Sequence, residues 1–227
     1  MCKIFAIEGP DYSGKTTLIN TLYKYLKSSG KRVAIFKEPE GTIRKMLLDK
    51  DGNLSSEARR CLFAADHFQT LDTIYQVKDK YDYIFMDRTT VISDLVYSPL
   101  EDDYSGMLNA NLSISLQDHY DLIDICKYDN FFKENTHLIL LQLSKQELIN
   151  RMSIRAINNN DIFDIKSDDF KFKVWSKYSE LIDSIMNGNM RRVSALFCNV
   201  SKVQVDDNLT NNILKLIEGD SKNVQKK

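Results

Sequence analysis

Residues Gly9 to Thr17 read Gly-Pro-Asp-Tyr-Ser-Gly-Lys-Thr-Thr. This spacing, G-x-x-x-x-G-K-[ST], demands a strand before it and a helix after it. The glycines let main-chain N–H groups close on a phosphate, and the following helix brings the partial positive charge of its N-terminus to the same point. Lys15 is placed to reach the β/γ-phosphates and the Thr16 hydroxyl to hold Mg²⁺. Gly9, Pro10, Asp11, Tyr12, Ser13, Gly14 and Thr17 complete the phosphate-binding set. The flanks agree. Ile4-Phe5-Ala6-Ile7 is a short apolar run of strand type, Leu18, Leu22 and Leu26 recur at helical spacing, and Gly30 after Ser28-Ser29 is a C-terminal stop.

A second constellation points to a second phosphate. Asp87 closes the apolar strand Ile84-Phe85-Met86, and Arg88 follows directly. Beside a phosphate loop, Asp87 would hold Mg²⁺ directly or through water. A guanidinium next to it suits the phosphate of an acceptor, which it can bind in a bidentate, oriented way. Taken alone, an Asp-Arg pair at a strand end is an ordinary turn.

Strand and helix signals alternate along the 227 residues. Further strands are predicted over Arg32–Phe36, Tyr83–Met86, Thr136–Leu143 and Lys202–Val205. Helices are predicted over Thr42–Leu48, from Ser55-Ser56-Glu57 onward, and over Lys145–Ala156, Ser167–Met186 and Leu209–Leu216. This order predicts an α/β P-loop NTPase fold of three layers, α/β/α, around a mostly parallel five-stranded sheet, with residues 1–227 as one kinase domain. Ligands in such sheets bind beyond the C-terminal strand ends. The phosphate loop, Lys37–Thr42 and Asp87-Arg88 would all converge there. Asp51-Gly52-Asn53 reads as a turn and Ser98–Asp118 as a loop-rich stretch. Asn158–Asp161 is a polar break suited to a lid over about residues 151–166.

Bulk properties exclude several classes. Lys plus Arg is 31 and Asp plus Glu is 32, a formal net charge of −1, which argues against a broad nucleic-acid surface. The four cysteines are scattered without a C-x-x-C pair, as in a reduced cytoplasmic protein. The sequence enters a strand at once, so no secretory leader is expected, and no apolar run approaches the ~20 residues of a membrane span. The three histidines are too dispersed to suggest a site by spacing.

Four segments, in order, resemble the thymidylate kinase family. Ile7-Glu8-Gly9-Pro10-Asp11 through Thr17 resembles I-E-G-x-D-x-x-G-K-T-T. Lys37-Glu38-Pro39-Glu40-Gly41-Thr42 is similar to R-E-P-G-G-T. Leu62-Phe63-Ala64-Ala65-Asp66-His67-Phe68-Gln69 is similar to L-F-A-A-D-R-x-Q, and Asp87-Arg88 through Tyr97-Ser98 to D-R-Y-x-x-S-x-x-A-Y-Q. Arg151, Arg155 and Asp161–Asp164 resemble the lid.

The resemblance implies ATP as donor, Mg²⁺ as cofactor, a homodimer through the helices near Arg44–Ile74, and a set of roles. Phe63 would stack on the acceptor base and Arg44 would join Arg88 on the acceptor phosphate; by spacing alone Phe63 is a core aromatic and Arg44 a solvated helix residue. Asp11 would lie near the acceptor's 3′-hydroxyl and phosphate, and Glu38 at the sugar–phosphate end. Tyr97, otherwise a core tyrosine, would pack under the sugar and reject a 2′-hydroxyl. Arg151 would border the adenine of ATP.

The chain also departs from the family pattern. Tyr12 stands where some members carry a loop Arg, so a lid Arg would act in its place, Arg155 first and Arg151 in reserve. His67 replaces the Arg that donates to the thymine carbonyl, and Asp94 and Ser98 stand at two other positions near the base. These three predict dTMP or dUMP as acceptor, with breadth towards dGMP. Two other readings stay open: a deoxynucleoside kinase with Glu38 as base, and a nucleotide-dependent switch or assembly ATPase. The second is disfavoured because the chain has no [NT]-K-x-D motif and no acidic pair after the third strand.

Overall fold

A computed structural model describes residues 2–48, 54–102, 129–155, 167–190, 193 and 196–223. Five strands form one parallel sheet in the order β2-β3-β1-β4-β5: β1 (Lys3–Glu8), β2 (Val33–Lys37), β3 (Tyr83–Asp87), β4 (Thr136–Gln142) and β5 (Asn199–Gln204). The described helices are α1 (Lys15–Ser28), α2 (Gly41–Leu48), α3 (Ser56–Val77), α4 (Thr90–Asp102), α5 (Asp129–Asn135), α6 (Lys145–Arg155), α7 (Asp168–Met186) and α8 (Leu209–Asn223). The expected P-loop NTPase architecture is therefore present, with every strand pairing parallel.

The pleat divides the apolar strand residues between two cores. Ile4, Ala6, Ile84, Met86, Leu138 and Leu140 face Ile74 of α3, Val91, Ile92 and Val96 of α4, and Val174, Tyr178 and Ile182 of α7. Phe5, Ile7, Phe85, Ile139 and Leu141 face Leu18, Ile19 and Leu22 of α1, Leu148 of α6, and Ile213 and Ile217 of α8. Burial on both faces explains why the central strands read as unbroken apolar runs. Each of the larger aliphatic and Phe side chains contributes about 1.5–3 kcal/mol by leaving water, so Ile84→Ala in the middle of β3 would cost about 2–5 kcal/mol.

Local signals set the helix ends. The Ser55 and Ser167 hydroxyls accept from the Ala58 and Phe170 N–H groups, each at 3.2 Å, capping α3 and α7. α1 stops at Gly30, whose φ of +76° only glycine adopts freely. Trp175 of α7 donates its ring N–H to the Leu143 carbonyl at 2.7 Å, pinning that helix to the end of β4.

Two expectations change. Residues Ser98–Asp102 lie in α4, not in a loop. Thr90, Val91 and Ile92 are weak helix formers and Pro99 lacks an N–H, so propensity hides this helix. Burial of Val91, Ile92, Val96 and Leu100 against the sheet decides in its favour. α5 also falls where no helix is predicted. The turn at residues 51–53, the rest of the 98–118 stretch and the lid break at 158–161 lie outside the described residues.

Candidate active site

The strand register brings Ile7 beside Asp87 and Lys37 beside Asp87, so three neighbouring strands end together under the phosphate loop. A Cβ on Gly9 would sit 2.9 Å from both Cβ and O of Leu141, so the loop runs too close to β4 for any side chain. Gly14 enters α1 with φ of +86°. The Lys15 ammonium is buried and donates to the carbonyls of Gly9 at 2.8 Å and Pro10 at 2.9 Å. Burial, and then the Arg88 charge, pull its pKa down to about 8. One residue on, the Thr16 hydroxyl donates to Asp87 Oδ2 at 2.7 Å. A hydroxyl and a carboxylate oxygen side by side are the donors a small hard cation takes, together with phosphate and water oxygens, so the pair fits Mg²⁺. Thr17, next along, is exposed.

Arg88 sits at the junction of four elements. Its backbone is in the left-handed region, φ +80°, which costs a non-glycine residue on the order of 1–3 kcal/mol. Two bonds hold it there: Arg88 N–H to the Ile7 carbonyl at 3.1 Å, and Thr89 N–H to Glu8 Oε1 at 2.5 Å. The guanidinium pairs with Asp11 through Nη2 and donates through Nη1 to the Tyr178 hydroxyl at 3.2 Å. Tyr178 in turn donates to Glu8 Oε2 at 3.1 Å, and Tyr97 donates to Asp11 Oδ2 at 3.1 Å. Burial works against the Arg88 charge, but Tyr97, Asp11, Tyr178 and Glu8 outweigh it and hold its pKa well above the usual value. For Asp11, burial pushes up while Arg88 and Lys15 pull down, and the carboxylate ends below its ordinary range.

The end of β2 carries a separate knot. Glu38 is 3% exposed and accepts from the Thr90 N–H at 2.8 Å and the Thr90 hydroxyl at 3.0 Å. His67 of α3 faces the same carboxylate, with Nδ1 2.9 Å from Oε1 and 3.0 Å from Oε2. A carboxylate only accepts, so Nδ1 donates and the ring has Nε2 alone to offer a ligand. Burial lowers its proton affinity, but the Glu38 charge and hydrogen bond more than offset this, and its pKa is raised. Asp66 accepts from the Glu40 N–H at 3.2 Å, tying α3 to the segment after β2.

The other residues singled out by sequence fall around these two groups. Phe63, one turn before His67, is half-buried, and its carbonyl lies 3.4 Å from the Thr90 hydroxyl. Arg44 on α2 and Asp94 on α4 are half-buried. Arg151 of α6 donates to the Tyr12 carbonyl at 3.0 Å and to Glu147 at 2.6 Å, so it braces the phosphate loop. Ser98 lies in α4 and Arg155 ends α6, with side chains outside the description. Sequence reasoning assigned nothing to Glu8, Thr90 or Tyr178. Their only signals were a carboxylate ending an apolar strand and a hydroxyl inside the apolar repeat Phe170, Val174, Tyr178, Leu181.

The family profile described as thymidylate kinase matches residues 7–197. The chain belongs to the thymidylate kinase family. Among similar proteins, the thymidylate kinase of Caldicellulosiruptor saccharolyticus is 27% identical over 79% of this chain and 82% of its own length. That of Campylobacter hominis is 31% identical over 77% and 83%. The solved structure of the Candida albicans thymidylate kinase superposes with a TM-score of 0.63 at 21% identity, covering 96% of this chain and 92% of that one, which supports the shared fold.

Proposed function

We propose that this chain transfers the γ-phosphoryl group of ATP to a deoxynucleoside monophosphate, dTMP before others, with residues 1–227 as one kinase domain and residues of about 151–166 as its lid. The observation that carries this reading is Arg88. It is a half-buried, permanently charged guanidinium placed directly after Asp87 and paired to Asp11 of the phosphate loop. A site for ATP alone has no use for a second phosphate-binding cation facing the loop from the acceptor side.

Phosphoryl transfer needs in-line alignment and neutralised charge more than covalent help. The Lys15 ammonium, now resting on two loop carbonyls, would turn to the β/γ-phosphates. Thr16 and Asp87 would hold Mg²⁺, whose chemistry when bound is to neutralise phosphate charge and orient oxygens. Arg88, joined by Arg44, would fix the acceptor phosphate by paired N–H donors. Asp11 and Tyr97 would meet the sugar, Glu38 would hold the wall beside it through Thr90, and Phe63 would stack on the base. Arg151 would border the adenine while Arg155 supplies the transition-state cation that Tyr12 cannot. His67 through Nε2, Asp94 and Ser98 would face the base edge, which supports an acceptor range reaching dUMP and dGMP. Met46 on α2 is 47% exposed, which suits a homodimer through α2 and α3. No described helix is long and apolar enough to cross a membrane.

The test is a coupled assay of ADP release with ATP and each deoxynucleoside monophosphate. The expected result is turnover of dTMP that stops with a chelator and returns with Mg²⁺. Phosphorylation of thymidine but not dTMP, a preference for dAMP, or nucleotide binding without any turnover would each replace this reading.

A further inference from the structure

Glu8 takes no direct part in the mechanism above, yet it is fully buried at the end of β1 and all of its acceptor capacity is used. Oε1 receives the Thr89 N–H at 2.5 Å and the Ser93 hydroxyl at 3.3 Å. Oε2 receives the Gly9 N–H at 3.3 Å and the Tyr178 hydroxyl at 3.1 Å. One carboxylate thus holds the first N–H of the phosphate loop, the turn that carries Arg88, the first turn of α4, and α7.

Tyr178 extends this grip to the guanidinium. Arg88 can only donate, so the hydroxyl oxygen must accept from Nη1 and must send its own proton to Glu8. The direction of the relay is therefore set by chemistry. Its ring is completely buried in the core, so the hydroxyl cannot follow Arg88 if Arg88 moves. Asp11 holds the opposite edge of the guanidinium through Nη2, but its side chain is 31% exposed at the phosphate loop. Tyr178 is the support fixed in the core and Asp11 the one open to solvent.

We propose that Glu8 and Tyr178 are positioning residues that orient the Arg88 guanidinium for the acceptor phosphate, acting from the sheet end and α7 without touching substrate. The proposal rests on the reading of Arg88 given above. It explains why a hydroxyl is kept inside the apolar stripe of α7, where Phe would pack as well. It also ties acceptor binding to the helix that follows the lid segment in sequence.

Tyr178→Phe keeps the ring and removes only the relay. The expected result is a fall of roughly tenfold in kcat/KM for dTMP, the scale of one hydrogen bond to a charged group, with KM for ATP changed less than about twofold. The discriminating measurement is a cycle with Arg88→Ala. If Tyr178 acts through Arg88, Tyr178→Phe costs nothing further once Arg88 is gone. Unchanged dTMP kinetics in Tyr178→Phe, or an equal cost with and without Arg88, overturns the proposal. If instead Arg88→Ala itself leaves dTMP kinetics intact, the reading of Arg88 is wrong and the proposal falls with it. Glu8→Gln, which keeps the shape and one acceptor oxygen, serves as the second variant. It should shift KM for dTMP in the same direction with ATP again little affected, and a loss confined to ATP would count against the assignment.

Discussion

At the end of β3 the polar groups form a chain through Glu8, Tyr178, Arg88, Asp11 and Tyr97, spanning four elements, and the ion pair at its centre, Arg88 with Asp11, keeps its charges at neutral pH. At the end of β2 a smaller knot of Glu38, Thr90 and His67 depends on an imidazole, whose ordinary pKa lies close to neutrality. The first region is suited to hold phosphate, whose charge every acceptor shares. In the proposed reading the second would sense which acceptor has arrived, because its hydrogen-bonding pattern changes with a single proton. The contrast teaches that one cleft can be rigid in charge at one end and adjustable at the other.

Experiments can break this comparison from the phosphate end first. Lys15→Ala should lower kcat by about 10²–10³-fold, the scale of losing one preorganised electrostatic donor; steady-state kinetics with saturating dTMP would show it. Arg88→Ala should lower kcat/KM for dTMP by roughly 100-fold, as the loss of a paired charged contact does, while leaving KM for ATP nearly unchanged. An equal effect on both substrates would erase the distinction between donor and acceptor sides. At the base end, His67→Gln should change the ratio of kcat/KM values for dTMP, dUMP and dGMP by about tenfold or less, the scale of one altered polar contact, with kcat for the best acceptor little altered.

Two pH experiments sharpen the same contrast with smaller effects. The folded-state pKa of His67 is raised, so its pairing with Glu38 stabilises fully below the ordinary histidine value and is lost as pH rises through the folded value. Tm should therefore fall as pH rises across that window above 6.5, and Glu38→Gln should flatten the trend. A Tm that climbs over the same range in the wild type would contradict the assignment. Lys15 runs the other way. Its pKa of about 8 means that ATP, on pairing with it, should draw a fraction of a proton from buffer near pH 8.5. Calorimetry in two buffers of different ionisation enthalpy reads that uptake, and proton release would refute it.

The phosphate end was largely legible in sequence because its chemistry is contiguous. Gly9 to Thr17 and Asp87-Arg88 are short strings, and the alternating strands bring them together by a single parallel register. The sheet was legible for the same reason, since β1, β3 and β4 are apolar on both faces. α4 was not, because its residues are poor helix formers held helical by tertiary burial. Nor was the support beneath Arg88: Tyr178 and Glu8 are separated by 170 positions, and in sequence the tyrosine is one more member of an apolar stripe. His67 shows a subtler limit. Its place on α3 suggested a ligand contact, but Glu38, from another element, claims one ring nitrogen, and only the assembled structure shows that.

The pair between Arg88 and Asp11 has a further consequence for what the site admits. With the guanidinium already facing a carboxylate, an acceptor enters by exchange, one anion for another. A phosphate monoester carries up to two negative charges and three oxygens against the single charge of Asp11, so it can win that exchange. In the proposed reading of Arg88, an uncharged nucleoside would bring nothing to trade for Asp11. The pair would then act as an internal competitor that sets a minimum charge for entry and favours nucleotides over nucleosides before the shape of either is examined.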